Sequence, residues 1–320
     1  MSAGPARVAV LGASGTIGFV LSQSLLGLGH DVLAISRGRA AANAERLDRL
    51  AAGGAQLAFA PDLTDVGSLA QALRSWEVLV VAMRASPRIV EATEPAILAA
   101  AQLAGIARFV PDDFGTHSMA TPYGVSAQFD VKKRFHEQLE ASGMPWTVIY
   151  PGGIAEYFLP NLRPPATVYA WGDRSLRFPI HTLRDIGAVS ARAVTDPRTE
   201  CAAVQLYARL VSTDEMIARL ERTWPEVPFE LQVRSSEELE YLHRHGNPDP
   251  GDERLSEREI MGISYANYVL GTLGAPAHPG TLDASTLYPD HRYDDPLALL
   301  ADPAFVFGAA GPPATVTAAG

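Results

Sequence analysis

The chain has 320 residues and a formal net charge of −10. It is long enough to bury a large core, and its acidity excludes nucleic acid and anionic membrane surfaces as expected partners. A single cysteine excludes an internal disulfide. The sequence shows neither an apolar run of about 20 residues nor a signal peptide, so we expect a soluble, cytoplasmic protein.

The first half of the chain alternates between short apolar runs and longer stretches of helical period. The apolar runs are RVAVL, DVLAIS, AQLAFA, VLVVAM, ARFV and WTVIY, and the helical stretches are 16–28, 39–52, 65–74, 88–104 and 127–142. Apolar strands that alternate with helices indicate a parallel sheet covered on both faces. We therefore predict the α/β fold class, with a Rossmann-type doubly wound parallel sheet.

The alternation weakens after WTVIY, where PGG (151–153) ends the last clear strand. Residues 212–223 and 235–245 have an amphipathic helical pattern, with weaker strands between them. The predicted units are a Rossmann domain over 1–153, a smaller α+β substrate-binding lobe over 154–307, parts of which can return to the first domain, and a disordered tail over 308–320.

The first strand runs into the glycine-rich stretch GASGTIG. Gly12 permits a tight turn, Gly15 lets the backbone approach a pyrophosphate, and Gly18 allows close packing of helix on sheet. The helix that follows offers free N–H groups to the phosphates. The stretch therefore predicts a dinucleotide site, to which Ser14, Thr16 and Ile17 also contribute.

The end of the second strand, AISRGR, predicts which dinucleotide binds. An NAD site usually has an acidic residue here for the ribose 2′-hydroxyl, whereas this chain has Arg37. A guanidinium suits a 2′-phosphate, and a charged hydrogen bond contributes roughly 1.5–3 kcal/mol. We predict NADPH as cofactor, with Met83 beside it at the end of the fourth strand, and no metal.

The predicted helix 127–142 contains Lys132 and Lys133, which are the only lysines in the chain. Lys133 has Asp130 three residues before it and Glu137 four after it, which favours a solvated, charge-paired face. Lys132 has no carboxylate partner on the helix and borders the apolar stripe. Burial there would lower the lysine pKa and give a base near neutral pH, although an end group that reaches solvent from an apolar edge fits as well.

Five segments occur in the order seen in isoflavone reductase-like proteins. They are GASGTIG, ARFVPDDFG, QFDVKKRFHEQLEASGMPWTVIYPGGIAEYF, HTLRDIGAVSARAVTDPRT and STLYPDHRYDD. The sequence thus resembles that family from about residue 7 to about residue 300. The family includes phenylcoumaran benzylic ether reductases and pinoresinol reductases, within the NmrA-like atypical short-chain dehydrogenases.

This resemblance implies a two-lobed, NADPH-dependent reductase of small aromatic molecules. It implies that Lys132 is the general base, and that Pro111, Asp112 and Phe114 lie beside the nicotinamide. The family often has Ser-Glu where this chain has Asp112-Asp113, which leaves the substrate open. The substrate-binding candidates are His117, Tyr123, Gly152, Gly153, Tyr157 and Phe158.

Two chemistries are compatible with a single lysine at the nicotinamide. A neutral Lys132 can take a phenolic proton, so that a benzylic leaving group departs and hydride adds to the quinone methide. Alternatively, a lysine proton can polarise an enone. The rival functions are an NADP(H)-sensing regulatory protein without turnover and an NADPH:quinone reductase. The expected partner is a small aromatic substrate, and a homodimer is compatible with the sequence.

Overall fold

The computed structural model describes residues 4–83, 86–249, 255–274 and 280–311. The strands are β1 Arg7–Leu11, β2 Asp31–Ser36, β3 Gln56–Phe59, β4 Val78–Val81, β5 Arg108–Val110, β6 Thr147–Tyr150, β7 Gly153–Ile154, β8 Thr167–Trp171, β9 Arg177–His181, β10 Ala202–Gln205, β11 Leu210–Ser212, β12 Glu230–Arg234 and β13 Thr281–Asp283. The helices are α1 Thr16–Gly27, α2 Ala41–Ala52, α3 Val66–Leu73, α4 Pro87–Ala104, α5 Ala127–Ala141, α6 Ala155–Phe158, α7 Leu183–Ala193, α8 Thr213–Thr223, α9 Ser236–His245, α10 Glu257–Tyr268, α11 Ala284–Leu287 and α12 Pro303–Phe307.

The first five strands form one parallel sheet in the order β3-β2-β1-β4-β5. Successive residues of β1 enter different cores: Val8 and Val10 pack on one face, and Ala9 and Leu11 on the other. Because helices cover both faces, the central strands β1 and β4 are apolar on both sides, apart from the exposed Arg7 at the start of β1. The predicted α/β, doubly wound parallel sheet is confirmed.

Strand β6 continues this arrangement beside β5. A parallel bridge joins Phe109 to Trp146, just before β6, and β6 in turn pairs with β10 and β10 with β13, all in parallel. Two strands from the second half of the chain therefore return next to the first sheet. The domain boundary at residue 153 remains a prediction.

The rest of the second half packs around a separate apolar core. Its sheets are β11-β9-β7 and β12-β8, and helix α8 contributes the buried side chains Ile217 and Leu220. Trp224, which follows α8, packs edge-on against Phe307 with the ring centroids 4.8 Å apart.

The structure places a 3-10 turn at Gly308–Ala310, so the predicted disorder does not extend over these residues. The rest of the predicted tail, 312–320, lies outside the described residues. Within the described ranges, no helix has the length and apolar character needed to cross a bilayer.

Helices α1 and α7 touch at Gly187. A Cβ placed there would lie 2.8 Å from the carbonyl oxygen of Val20 and 3.1 Å from Oγ of Ser24. The absence of a side chain at this position lets α7 lie directly against the helix that begins at the glycine-rich loop.

We expect Gly187→Ala to destabilise the protein by about 1–3 kcal/mol, because the added methyl forces the two helices apart. Gly27→Ala in α1 is the matched control, since its Cβ meets nothing within 4 Å. It should be neutral or stabilising by up to about 1 kcal/mol. Denaturant unfolding of both variants measures the difference, and equal midpoints would contradict this account of the α1–α7 contact.

Candidate active site

The glycine-rich loop between β1 and α1 is so tight that two of its glycine positions have no room for a side chain. Gly12 has φ +88°, and a Cβ there would lie 2.3 Å from the carbonyl oxygen of Ala82. A Cβ at Gly18 would lie 2.3 Å from the carbonyl oxygen of Gly12, and the N–H of Gly15 donates to that same oxygen at 2.8 Å. Only glycine fits at positions 12 and 18, and the loop leaves the first turn of α1 open to an anionic ligand.

A cleft of about 750 Å³ lies along this loop and the ends of the neighbouring strands. Gly12, Gly15, Arg37 and Met83 line it, and so does Ser14. The cleft is within the usual size range of cofactor sites. With the glycine cradle and a guanidinium on its wall, the donor set fits a 2′-phosphorylated dinucleotide.

Helix α2 supports the loop through residues that we did not predict from the sequence. The amide of Asn43 donates to the carbonyl oxygen of Gly38 at 2.9 Å, and Arg46 donates to that of Ser14 at 3.1 Å. Arg39, beside Arg37, donates to Asp48 at 2.6 Å. The contact between Arg46 and Ser14 joins segments that are distant in sequence, and so no local pattern signals it.

Lys132 lies on α5 and reaches the turn that follows β5. Its Nζ is 3.2 Å from Oδ1 of Asp113, and its side chain is only 13% exposed. The partial burial that we expected is present. As predicted, Lys132 has no carboxylate partner on its own helix. In the folded chain, however, Asp113 from the turn after β5 is its partner.

Two further acidic residues surround this pair. Glu94, in α4, accepts a hydrogen bond from the backbone N–H of Asp112 at 3.2 Å, and it is 1% exposed. Burial and the charge of Asp112 raise the pKa of Glu94 well above its usual value. Burial also raises the pKa of Asp112 to about 7, although Lys132 opposes the shift.

Asp113 is the ionised member of the group. Its Oδ2 accepts a hydrogen bond from Ser118 Oγ at 2.7 Å and lies 3.1 Å from Nε2 of His136. Burial would raise the pKa of Asp113, but the charge of Lys132 and the contacts with His136 and Ser118 outweigh it and hold the pKa below its ordinary value.

The charge state that we expected for Lys132 is wrong. Burial does act to lower its pKa, but the carboxylates of Asp113, Asp112 and Glu94 outweigh burial and raise the pKa above its ordinary value. The free side chain is therefore an ammonium ion. A neutral base would need these charges to be removed first.

The expectation for Lys133 is also wrong in part. Its side chain is 4% exposed and pairs with Asp130 at 3.3 Å, as the spacing predicts. However, its Nζ also donates to the carbonyl oxygen of Thr121 at 2.7 Å and lies 3.7 Å from the ring centroid of Tyr123. Lys133 thus fixes the segment before α5 instead of facing solvent.

Two of the predicted substrate-binding residues lie in the segment 116–126. His117 is buried, stacks on Tyr150 with the ring centroids 4.0 Å apart and bonds Thr281 at 3.1 Å. Tyr123 is exposed, and its hydroxyl donates to Glu137 at 2.8 Å. Substrate contact by either residue remains a prediction.

The other predicted substrate-binding residues follow β6. Gly152 has φ +74°, and a Cβ there would lie 2.6 Å from the carbonyl oxygen of Pro179, whereas a Cβ at Gly153 would lie 3.2 Å from the ring of Phe158. The hydroxyl of Tyr157 donates to Thr16, the first residue of α1, at 2.6 Å. Tyr157 therefore bridges the second half of the chain to the glycine-rich loop.

The remaining predicted cofactor residues lie near these elements. The carbonyl oxygen of Pro111 accepts from the N–H of Asp113 at 2.9 Å, while Ile17 and Phe114 are partly buried against the core below the sheet. The backbone of Met83, just after β4, acts to lower the pKa of the Asp112 carboxyl against the effect of burial.

A small cavity of about 240 Å³ lies in the second half of the chain, which also has a larger one of about 740 Å³ around Tyr207 and Arg209. The lining of the small cavity includes the aromatic side chains of Tyr157, Phe158, Trp171, Phe178 and Tyr268. Tyr157 is therefore shared between this cavity and the loop at the start of α1.

Glu94 is the member of the acidic group that sequence reasoning missed, although a signal existed. In α4 it follows Val90 by four residues and precedes Ile97 by three, so it occupies the inward stripe of the helix. A carboxyl group in such a stripe needs a partner or a proton. Among the described residues, no group of His, Cys, Asp and Glu is arranged to hold a metal ion.

Comparison with known proteins places these features in context. The model of the NmrA-like family matches residues 5–228. Phenylcoumaran benzylic ether reductase PT1 of Pinus taeda is 27% identical over 305 residues, covering 90% of this chain and 95% of that protein. Pinoresinol reductase 2 of Arabidopsis thaliana is 26% identical, covering 90% of this chain and 93% of that protein.

Solved structures show the same fold. Leucoanthocyanidin reductase of Vitis vinifera, in a binary complex with NADPH, superposes with a TM-score of 0.78 at 19% identity, covering 92% of this chain and 98% of that one. AtPrR2 with NADP+ and (+)-pinoresinol superposes with a TM-score of 0.76 at 24% identity, covering 93% and 99%. At these identities the likeness concerns the fold.

We expect Glu94→Gln to stabilise the protein, and to do so more at pH 9 than at pH 5. The folded-state pKa of Glu94 is raised, so the folded state holds this proton more tightly than the unfolded state does. Stability is therefore lost as the pH rises from the ordinary pKa towards the raised one, and glutamine removes that loss while keeping the oxygen that Asp112 bonds.

Thermal unfolding at both pH values measures the effect, which should be a few degrees, since about 1 kcal/mol corresponds to roughly 2–4 °C in a chain of this class. Glu91→Gln is the matched control, because Glu91 lies one turn earlier in α4 with an exposed side chain. If the increase in unfolding temperature of Glu94→Gln were the same at pH 5 and pH 9, the raised pKa of Glu94 would be contradicted.

Proposed function

The chain belongs to the NmrA-like family, and from that premise we propose that it is an NADPH-dependent reductase of a small aromatic molecule that carries a phenol, a benzylic ether or an enone. The observation that carries this proposal is the buried ammonium of Lys132, held by Asp113 at the end of β5. The names of its relatives, which are reductases of aromatic compounds, support the proposal.

The cofactor assignment rests on the cleft beside the glycine-rich loop. NADPH, when bound, supplies hydride from C4 of its nicotinamide ring. The loop around Gly12 and Gly15 would hold the pyrophosphate at the first turn of α1, and Arg37 would hold the 2′-phosphate. The complexes of leucoanthocyanidin reductase with NADPH and of AtPrR2 with NADP+ support the same choice.

The charge on Lys132 favours an acid role over a base role. As hydride arrives at the β-carbon of an enone, the electron pair of the C=C bond moves towards the carbonyl oxygen. Lys132 hydrogen-bonds that oxygen and gives it a proton, and solvent later restores the lysine proton. One hydride and one proton are consumed, which balances the reduction of one double bond.

A benzylic ether is handled by the same group. The phenolic proton passes through solvent to the ether oxygen as the benzylic C–O bond breaks, and the Lys132 ammonium stabilises the phenolate charge from which the quinone methide forms. Hydride then adds to the benzylic carbon and gives a phenolate, which takes one proton from solvent, so one hydride and one proton are consumed. The aromatic side chains that line the small cavity, among them Phe158 and Tyr268, favour a ligand with an aromatic ring. Tyr157 bonds the loop at α1 and also lines this cavity.

Two other functions can be separated from this one by experiment. A cofactor-sensing protein binds NADPH without turnover, and a quinone reductase needs little acid–base help from Lys132. Three carboxyl groups surround Lys132, and this arrangement favours a reductase in which the lysine takes part in the reaction. A sensor that only binds NADPH does not need a charged lysine at this position.

We expect the protein to oxidise NADPH with at least one member of a panel of aromatic enones and para-hydroxybenzylic ethers. The loss of absorbance of the reduced nicotinamide measures this oxidation. Lys132→Ala should lower kcat by about 10²- to 10⁴-fold, the usual contribution of a general acid. Lys133→Arg is the control, because it keeps a cation next to Asp130, and it should retain most of the activity.

The results of this assay distinguish the three candidate functions. Tight NADPH binding with no turnover on any panel member would favour the sensor. Turnover confined to quinones and unaffected by Lys132→Ala would favour the quinone reductase. Normal enone turnover by Lys132→Ala would remove the acid role altogether.

We expect Arg37→Ser to weaken NADPH binding by about 10- to 150-fold, equivalent to roughly 1.5–3 kcal/mol for a charged hydrogen bond, and to leave NADH binding nearly unchanged. Fluorescence titration with both dinucleotides measures the ratio. Arg39→Ser is the comparison, and it should lose less because Asp48 already engages that guanidinium. A parallel loss of NADH affinity in Arg37→Ser would contradict the 2′-phosphate contact.

A further inference from the structure

Asp113 joins two residues of α5 that lie one helical turn apart. Its Oδ1 is 3.2 Å from Nζ of Lys132, and its Oδ2 is 3.1 Å from Nε2 of His136. The carboxylate is 2% exposed. Because positions four apart share a face of a helix, a single carboxylate can meet both side chains.

The carboxylate is itself held from other elements. Ser118 Oγ is 2.7 Å from Oδ2 and also lies 3.2 Å from the hydroxyl of Tyr150 in β6. In the turn after β5, the N–H of Asp113 donates to Pro111 at 2.9 Å, and its carbonyl oxygen accepts from Gly115 at 3.0 Å. Asp113 therefore has little freedom to move, and Lys132 takes its position from it.

We propose that Asp113 is a positioning residue that fixes the ammonium of Lys132 towards the substrate and keeps it charged, with Ser118 hydrogen-bonded to the opposite carboxylate oxygen and His136 beside it. The catalytic part of this inference rests on the proposed reductase function. The electrostatic part does not, because it concerns the protein without substrate.

Other titratable groups around the lysine do not replace Asp113. Glu94 from α4 and Asp112 from the same turn add negative charge when ionised, but both are buried and hold their protons more tightly than usual. Tyr150 from β6 has its pKa raised by burial and by the charge of Asp113, so its hydroxyl stays neutral. Asp113 is the member of this group whose pKa is lowered, so it is ionised at neutral pH, whereas Asp112, with a pKa raised to about 7, adds its full charge only at higher pH.

The composition of the chain makes a direct test practical. Lys132 and Lys133 are its only lysines, so a protein labelled with ¹³C at the lysine ε-carbon gives two lysine signals in an NMR spectrum. Lys133→Arg assigns them. A pH titration then reads the protonation of Lys132 without any substrate.

In the native protein we expect the Lys132 signal to titrate above the ordinary lysine value of 10.5. Asp113→Asn should lower that midpoint by about one to three pH units, the usual influence of one opposite charge at close range. Asp130→Asn is the matched control, since Asp130 pairs with the neighbouring Lys133 at 3.3 Å, and it should leave the Lys132 midpoint in place.

A native midpoint below 10.5, or a midpoint unmoved by Asp113→Asn, would overturn the inference. An equal shift in Asp130→Asn would also overturn it, because the effect would then be general to the helix. The native titration needs no variant, so the inference stays testable if Asp113→Asn does not fold.

Kinetics test the positioning part. Asp113→Asn should lower kcat on the active panel substrate by about 10²-fold, the cost of misplacing a reacting group by roughly 1 Å. The same variant should leave the Kd for NADPH unchanged and should shift the alkaline limb of the kcat–pH profile to lower pH. Asp113→Glu, which keeps the carboxylate, should recover part of kcat. An unchanged kcat–pH profile would mean that Asp113 has a structural role and does not set the charge of Lys132. If the native chain turns over no substrate, the reductase proposal is refuted, but the result of the lysine titration still holds.

Discussion

The salt bridge between Lys132 and Asp113 connects helix α5 to the turn at the end of β5, in a place that water hardly reaches. A buried charge is costly unless it is paired and hydrogen-bonded, and here Ser118 donates a hydrogen bond to the carboxylate and Nε2 of His136 lies 3.1 Å from it. Removing one partner of such a pair leaves the other uncompensated, at a typical cost of about 3–5 kcal/mol. The ionised state of the site is thus set by the folded chain before any ligand arrives.

The alternation of apolar runs and helical stretches was sufficient to predict the parallel sheet, because burial on both faces determines which residues a strand can contain. The glycine-rich loop was equally informative, since Gly12 and Gly18 have no room for a Cβ. These features are local in sequence. By contrast, the return of β10 and β13 to the side of β6 depends on long-range pairing, which the pattern of residues left open.

The lysines show where sequence reasoning failed and why. Helical spacing gave the neighbours of Lys132 on its own helix, but the carboxylate that controls its charge comes from a turn 19 residues earlier along the chain. The same reasoning placed Lys133 in solvent, although Thr121 and Tyr123 from the preceding segment cover it. Glu94 was visible as a polar residue in an apolar stripe. Its partner Asp112 became apparent only with the fold.

A crystal structure of the complex with NADPH tests the central claim most directly. We expect the nicotinamide ring at the ends of β4 and β5, with the ammonium of Lys132 facing the space above C4 and still in contact with Asp113. A structure in which Lys132 leaves Asp113 and turns to solvent, or in which the nicotinamide binds away from this lysine, would contradict it.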